Sequence, residues 1–310
     1  MPRWRRRPIL KAEKRSPDAP RRLRGPRLKK ALGQHHLKEG SLCRPLIDFL
    51  FAGLSPEALA STTVIEIGPG GGVLTAELLN TGARVLALEI DPAWAEALQG
   101  RLTSARLAVR VGDVLDFDWA ALAPGTLVCG NLPYNLGTAI VERVLRAYPA
   151  VARAAFLLQR EVVDRLAAGP RESDFGSLSL LTQARAKVVR LGIVRPGSFV
   201  PPPKVDSAFV GLTLVSPPLA AEAMPAFDRL LRAAFSHRRK TLVNALTRSF
   251  SRPRVEEALA RLGRTPKTRA EELQLKDFLE LLRELQDAAE TRDAAVPGDT
   301  LSGIGNPEKS

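Results

Sequence analysis

Val64-Ile65-Glu66-Ile67 runs straight into Gly68-Pro69-Gly70-Gly71-Gly72, and a helical pattern from Val73 to Leu79 follows at once. A short apolar run, a glycine-rich turn and a helix in direct succession open a Rossmann-like α/β unit. The chain then repeats the theme. Arg84 to Leu88 reads as a second strand ended by Glu89, Pro92 to Leu102 as a helix, and Ala108 to Val111 as a third strand followed by Gly112-Asp113. Further strands are predicted over 126–129, 153–158, 187–194 and 208–215, and helices over 41–51, 137–147, 159–168 and 174–186, the first of them closed by Gly53 and Pro56. From Pro217 the composition changes. Segments 225–236, 238–248, 254–262 and 270–286 all carry helical periodicity. The predicted architecture is a seven-strand Rossmann-like α/β domain over 28–216 and a small helical domain over 217–290. A disordered basic arm precedes them (1–27) and a disordered tail follows (291–310).

The glycine turn is Gly-Pro-Gly-Gly-Gly, not the G-x-G-x-x-G of a dinucleotide site. A dehydrogenase uses that turn and the helix behind it to approach a pyrophosphate. A proline inside the turn and Glu66 just before it suit a cofactor without phosphates better. S-adenosylmethionine has a cationic sulfonium, an amino-acid end, a ribose and an adenine. Three carboxylates at three successive strand ends match it. Glu66 biases the site against phosphate, Glu89 (19 residues past Gly70) takes the ribose diol, and Asp113 accepts from the adenine amino group.

Asn131-Leu132-Pro133-Tyr134 follows the strand at 126–129, where open α/β sheets place their chemistry. Asn offers an amide donor and a carbonyl acceptor, Pro stiffens the turn, and Tyr gives a flat face on which a base stacks. The set can hold an exocyclic amino group by its hydrogens and clamp the ring behind it. An Asx-type turn with a half-buried Tyr would read the same way from these four residues alone. Downstream, Phe199-Val200-Pro201-Pro202-Pro203-Lys204-Val205-Asp206-Ser207 is a rigid loop able to hold Phe199 in one place.

Charge points to the partner. The chain carries a formal +13, and it is concentrated: residues 1–30 hold 13 Lys/Arg against 2 Asp/Glu, and residues 225–270 hold 12 against 3. Two basic zones imply a polyanion, most simply nucleic acid, with Arg238-Arg239-Lys240 heading one helix of the second zone. The two cysteines are too few for a disulfide framework and fit a reducing compartment. No apolar run reaches membrane-spanning length and no signal-peptide pattern is present, so the expected location is the cytoplasm. Three histidines without a CxxC give no metal site.

Taken together, these residues resemble the small-subunit ribosomal RNA adenine dimethyltransferase family, the KsgA type. The resemblance spans about residues 28–286. It is carried by Lys30-Ala31-Leu32-Gly33-Gln34, Glu66-Ile67-Gly68-Pro69-Gly70, Glu89-Ile90-Asp91, Gly112-Asp113-Val114, Asn131 to Asn135, Phe199 to Ser207 and Phe235 to Thr241. It implies a class I methyltransferase domain with a helical C-terminal domain. The implied activity moves four methyl groups from S-adenosylmethionine to two adjacent adenines near the 3′ end of small-subunit rRNA, with a role in subunit biogenesis. The implied partner is that rRNA or the precursor of the small subunit, met by a monomer. The cofactor positions it carries over are His35, Leu37, Gly68, Glu89, Asp113 and Asn131, to which the glycine turn adds Gly70. Asn131, Leu132, Pro133 and Tyr134 are the expected catalytic set, with Phe199 covering the second face of the base. This chain departs from the family's Gln-Asn-Phe-Leu at His35 and His36, and has Gly137 where Ser is common. Two other readings share the pattern. A macrolide-resistance-type enzyme methylates one adenine of large-subunit rRNA, but its relatives carry Ile where this chain has Leu132 and differ at Pro201-Pro202-Pro203-Lys204. A non-catalytic assembly or mitochondrial transcription factor on the same fold has no need of the intact Glu89, Asp113 and Asn131-to-Tyr134 set.

Overall fold

The computed structural model describes residues 9–10, 26, 35–237 and 239–293, the last seven by their backbone. Gln34 and its preceding motif, Arg238 and residues 294–310 lie outside the described residues, as does all of the basic arm except Ile9-Leu10 and Pro26. The chain divides into two compact units, one ending at Glu222 and the other starting at Ala223.

Seven strands make the body of the first unit: β1 Thr63–Ile67, β2 Arg84–Glu89, β3 Leu107–Val111, β4 Thr126–Asn131, β5 Val151–Gln159, β6 Ala186–Val194 and β7 Ser207–Leu214. Their order across the sheet is β6-β7-β5-β4-β1-β2-β3, and only β7 runs antiparallel to its neighbours. The two-residue strand Ile9–Leu10 adds itself in parallel to Ile193–Val194 at the β6 edge, making an eighth member. The expectation of an arm without structure is corrected at these two residues. An open edge presents unpaired backbone groups, and the chain covers this one with its own segment.

The central strand is buried on both faces, as parallel strands under helices are. Val64, Ile65 and Ile67 are at most 2% exposed. Each such side chain contributes roughly 1.5–3 kcal/mol by burial. The pleat sends Ile65 and Ile67 to one core cluster and Val64 to the other. Glu66 shares the Val64 face, so its carboxyl enters an apolar layer.

Among the described residues seven α-helices accompany the sheet: α1 Arg44–Leu50, α2 Pro56–Ser61, α3 Val73–Asn80, α4 Pro92–Arg101, α5 Gly137–Leu145, α6 Arg160–Ala167 and α7 Ser177–Gln183. The second is absent from the sequence expectation, in which Pro56 only closes the first helix. Ser55 accepts from the Ala58 amide as N-cap and Pro56 stands at the first helical position, where its missing N–H costs nothing. In α4, Asp91 caps the N-terminus and Trp94, Ala95 and Leu98 form the buried stripe. A separate antiparallel pair, His36–Leu37 with Phe199–Val200, ties the segment before α1 to the proline-rich loop.

The second unit contains α8 Met224–Ala234, α9 Leu242–Leu246, α10 Arg252–Arg261 and α11 Leu275–Asp293. Its core is built from Phe227, Leu231, Leu242, Leu246, Leu259, Phe278 and Leu281, all 0% exposed. The last helix runs to Asp293, beyond the predicted end at 286. Among the described residues no helix is long and apolar enough to cross a membrane, and no group of His, Cys, Asp and Glu could hold a metal ion.

Candidate active site

A cleft of about 100 Å³ opens at the carboxyl ends of β1, β2 and β4. Its walls are the glycine turn, the His35–Leu37 segment, Glu66, Glu89-Ile90 and the Asn131–Tyr134 loop.

The glycine turn is closed upon itself. Gly68 donates to the Leu88 carbonyl at 2.9 Å, Gly70 to Glu89 Oε2 at 3.2 Å, Gly71 to His36 Nδ1 at 2.9 Å, and Gly72 to the Pro69 carbonyl at 2.9 Å. Pro69 has no N–H, so every donor of Gly68–Gly72 is used within the protein. Gly70 must be glycine twice over. Its φ is +48°, and a Cβ there would lie 2.4 Å from the His36 ring.

Glu66 is 1% exposed and its Oε2 has no hydrogen-bond partner. Burial pushes its carboxyl up to about 8; the Thr75 hydroxyl offsets part of the rise and Glu89 adds to it. Glu89 is fixed by two backbone amides, Gly70 on Oε2 and Asp91 on Oε1 at 3.0 Å. Burial nevertheless raises its pKa, and each oxygen keeps a lone pair for a ligand hydroxyl.

Asn131 closes β4 and turns its amide nitrogen onto the His35 carbonyl, 2.6 Å away. With the nitrogen donating there, Oδ1 is the acceptor left over. The Leu132 amide donates to the Leu157 carbonyl, and the Pro133 carbonyl accepts from Leu136 and Gly137, so the loop is held by its backbone. The Tyr134 hydroxyl meets Ser207 Oγ at 2.5 Å across the sheet. Burial raises the phenol pKa, which the Ser207 hydroxyl partly offsets. His35 Nδ1 is 2.8 Å from the Pro201 carbonyl and must donate to it, and its ring lies 4.9 Å from that of Tyr134.

The cleft therefore gathers His35, Leu37, Gly68, Gly70, Glu89, Asn131, Leu132, Pro133 and Tyr134. Three expected residues have a different local setting. Phe199, expected to cover the second face of a base, is 0% exposed and sits in the core. Its pairing with Leu37 turns the side chain inward, and strand alternation exposes Val200 instead, at 53%. Asp113 Oδ1 caps the turn Val114–Asp116 through the Leu115 amide at 2.8 Å, and the residue stands outside the lining of the cleft. In the second unit, Arg239 and Lys240 are exposed but lie in a turn before α9, whose cap is Thr241. Residues the sequence reading passed over are His36, Trp94, Arg101 and Ser207. His36 carries a signal as a departure from the family's Phe, and Ser207 as the last residue of the proline-rich motif.

The family model for ribosomal RNA adenine dimethylase matches residues 25–287. The chain is 37% identical over 266 residues to ribosomal RNA small subunit methyltransferase A of Pseudomonas aeruginosa, covering 84% of this chain and 96% of that protein. It is 42% identical over 274 residues to the protein of the same name from Anaeromyxobacter dehalogenans, covering 84% and 94%. Among solved structures, a dimethyladenosine transferase from Plasmodium falciparum superposes with a TM-score of 0.69 at 25% identity, over 82% of this chain and 98% of that one. The 23S rRNA methyltransferase ErmE gives 0.59 at 27%, over 78% and 97%. A match of this extent, on a chain whose cleft keeps the Asn-Leu-Pro-Tyr loop and the strand-end carboxylates, places it in the ribosomal RNA adenine dimethylase family.

Proposed function

We propose that this chain is an S-adenosylmethionine-dependent methyltransferase that converts two adjacent adenosines near the 3′ end of small-subunit rRNA to N6,N6-dimethyladenosine. It acts as a monomer on the small subunit or its precursor, and so takes part in subunit biogenesis. The observation that carries the reading is the cleft itself, which gathers the Glu66 and Glu89 carboxyls and the Asn131 side chain.

The residues fit the cofactor. Glu66 Oε2 is a buried acceptor without a partner, suited to a cationic ligand. The Glu89 oxygens retain lone pairs for a ribose diol. The glycine turn has no free N–H for a pyrophosphate, which counts against a dinucleotide. Bound there, S-adenosylmethionine supplies an electrophilic methyl on a positively charged sulfur.

The protein's part is positioning. Adenine N6 is a poor nucleophile because its lone pair is delocalised into the ring. Asn131 Oδ1 and the Leu132 carbonyl accept its two hydrogens, which localises the lone pair and aims it. Tyr134 supplies a ring face for the base, and its bond to Ser207 sets the angle of that face. The proton leaves once nitrogen becomes cationic, so no strong base is required, and the rate gain comes from orientation and electrostatics. The target base must be unpaired or flipped out to reach the cleft. Arg239 and Lys240 contact the phosphate backbone; Arg238, which lies outside the described residues, completes the basic run.

The likeness to ErmE favours a second reading, methylation of the large subunit. One experiment separates the two. Labelled methyl transfer to small subunits lacking the modification, with large subunits alongside, should give N6,N6-dimethyladenosine on the small subunit only. Label on the large subunit alone would replace the proposal with the second reading.

A further inference from the structure

We infer that His36 is a positioning residue for cofactor binding: together with Trp94 and Arg101 it clamps the Gly71 peptide and sets the shape of the turn that walls the cleft. This deepens the proposed function, and it rests on reading the cleft as an S-adenosylmethionine site.

Gly71 is gripped at both ends. Its N–H donates to His36 Nδ1 at 2.9 Å, and its carbonyl accepts from Arg101 Nη1 at 3.3 Å. Trp94 packs against both grips. The His36 ring centroid is 4.6 Å from that of Trp94, and the Arg101 guanidinium carbon is 5.9 Å from the Trp94 centroid. The grips come from distant segments, one 35 residues before Gly71 and one 30 after. The fit is close: no Cβ is tolerated at Gly70 beside the His36 ring. Because Nδ1 accepts, the ring proton resides on Nε2. Burial, with Arg101 and His35 nearby, holds the imidazole down at about 4, so the acceptor is intact at ordinary pH.

Two substitutions separate packing from hydrogen bonding. His36→Phe keeps a ring against Trp94 and removes the acceptor. His36→Asn removes the ring and keeps an acceptor near the Nδ1 position. The full chain and its variants are titrated with S-adenosylhomocysteine in a calorimeter, and kcat and KM are measured on small subunits. His36→Phe should raise Kd and the cofactor KM about three- to tenfold, the worth of one part-buried hydrogen bond. Its kcat at saturating cofactor should stay within about twofold, and His36→Asn should recover most of the loss. Should His36→Phe fail to fold, Arg101→Gln tests the other grip, and a similar rise in Kd is expected. Wild-type binding with Kd unchanged in His36→Phe, or a loss confined to kcat, would overturn the inference alone. Wild-type protein that binds no S-adenosylhomocysteine would overturn the underlying reading as well.

Discussion

The Asn131 side chain donates to the His35 carbonyl at 2.6 Å, across 96 residues of sequence. This one bond leaves Oδ1 as the remaining acceptor and joins the Asn-Leu-Pro-Tyr loop to the His35–Leu37 segment of the cleft wall. Asn131→Ala removes both the tether and the acceptor. By analogy with deleting one preorganised polar contact at a reacting group, kcat should fall about 10²- to 10³-fold. Single-turnover methyl transfer at saturating cofactor checks this. A loss below tenfold would show that N6 is held by other groups.

Tyr134 and Ser207 separate two contributions. Tyr134→Phe and Ser207→Ala lose the hydroxyl contact but keep a ring face, and each should cost less than about tenfold in kcat/KM. Tyr134→Ala loses the stacking surface, worth about 1–3 kcal/mol per base, and should cost about 10- to 100-fold. Phe199→Ala should behave differently. It opens a cavity in a core position and should lower stability by about 3–5 kcal/mol, measured by denaturant melts. A kcat loss at unchanged stability would return Phe199 to the catalytic set.

Glu66 makes cofactor binding sensitive to pH. Its folded pKa of about 8 lies above the ordinary 4.5, so the folded protein binds more protons than the unfolded chain between those values. Stability from this group is therefore complete below about 4.5 and declines as pH rises toward 8. A cation bound beside Glu66 favours the ionised form, so binding at pH 7 should release a proton. Calorimetry with S-adenosylmethionine in buffers of different ionisation enthalpy should show that release, and Glu66→Gln should abolish it. A binding enthalpy independent of buffer would contradict the assignment.

Arg239 and Lys240 are exposed in the turn before α9. Replacing each with Ala should weaken binding to small-subunit rRNA and reduce the slope of log K against log salt by about one per residue. Cofactor affinity should not change. Filter binding across a salt series reads both, and an unaltered slope would remove these residues from the RNA interface.

The proline-rich loop and the basic run show where sequence reading is weak. Proline at 56 read as an ending, yet with Ser55 before it the same residue opens a helix. Phe199 read as available to a ligand because its loop is rigid. Its burial depends on a two-residue pairing with Leu37, 162 positions earlier, which no local pattern announces. Asp113 had the right residue type at the right strand end, but its oxygen caps the next turn.

What the sequence determined by itself is the alternation of strands and helices, the glycine turn and the Asn131 loop. These follow from short-range periodicity, from turn chemistry and from glycines at positions of positive φ. Tertiary structure alone decided that the turn's donors are all used, that His36 and Arg101 grip one peptide from distant segments, and that Asn131 commits its amide nitrogen to the His35 carbonyl. Those outcomes depend on which buried polar groups meet when remote strands pair. A donor must find its acceptor wherever the packed chain brings one.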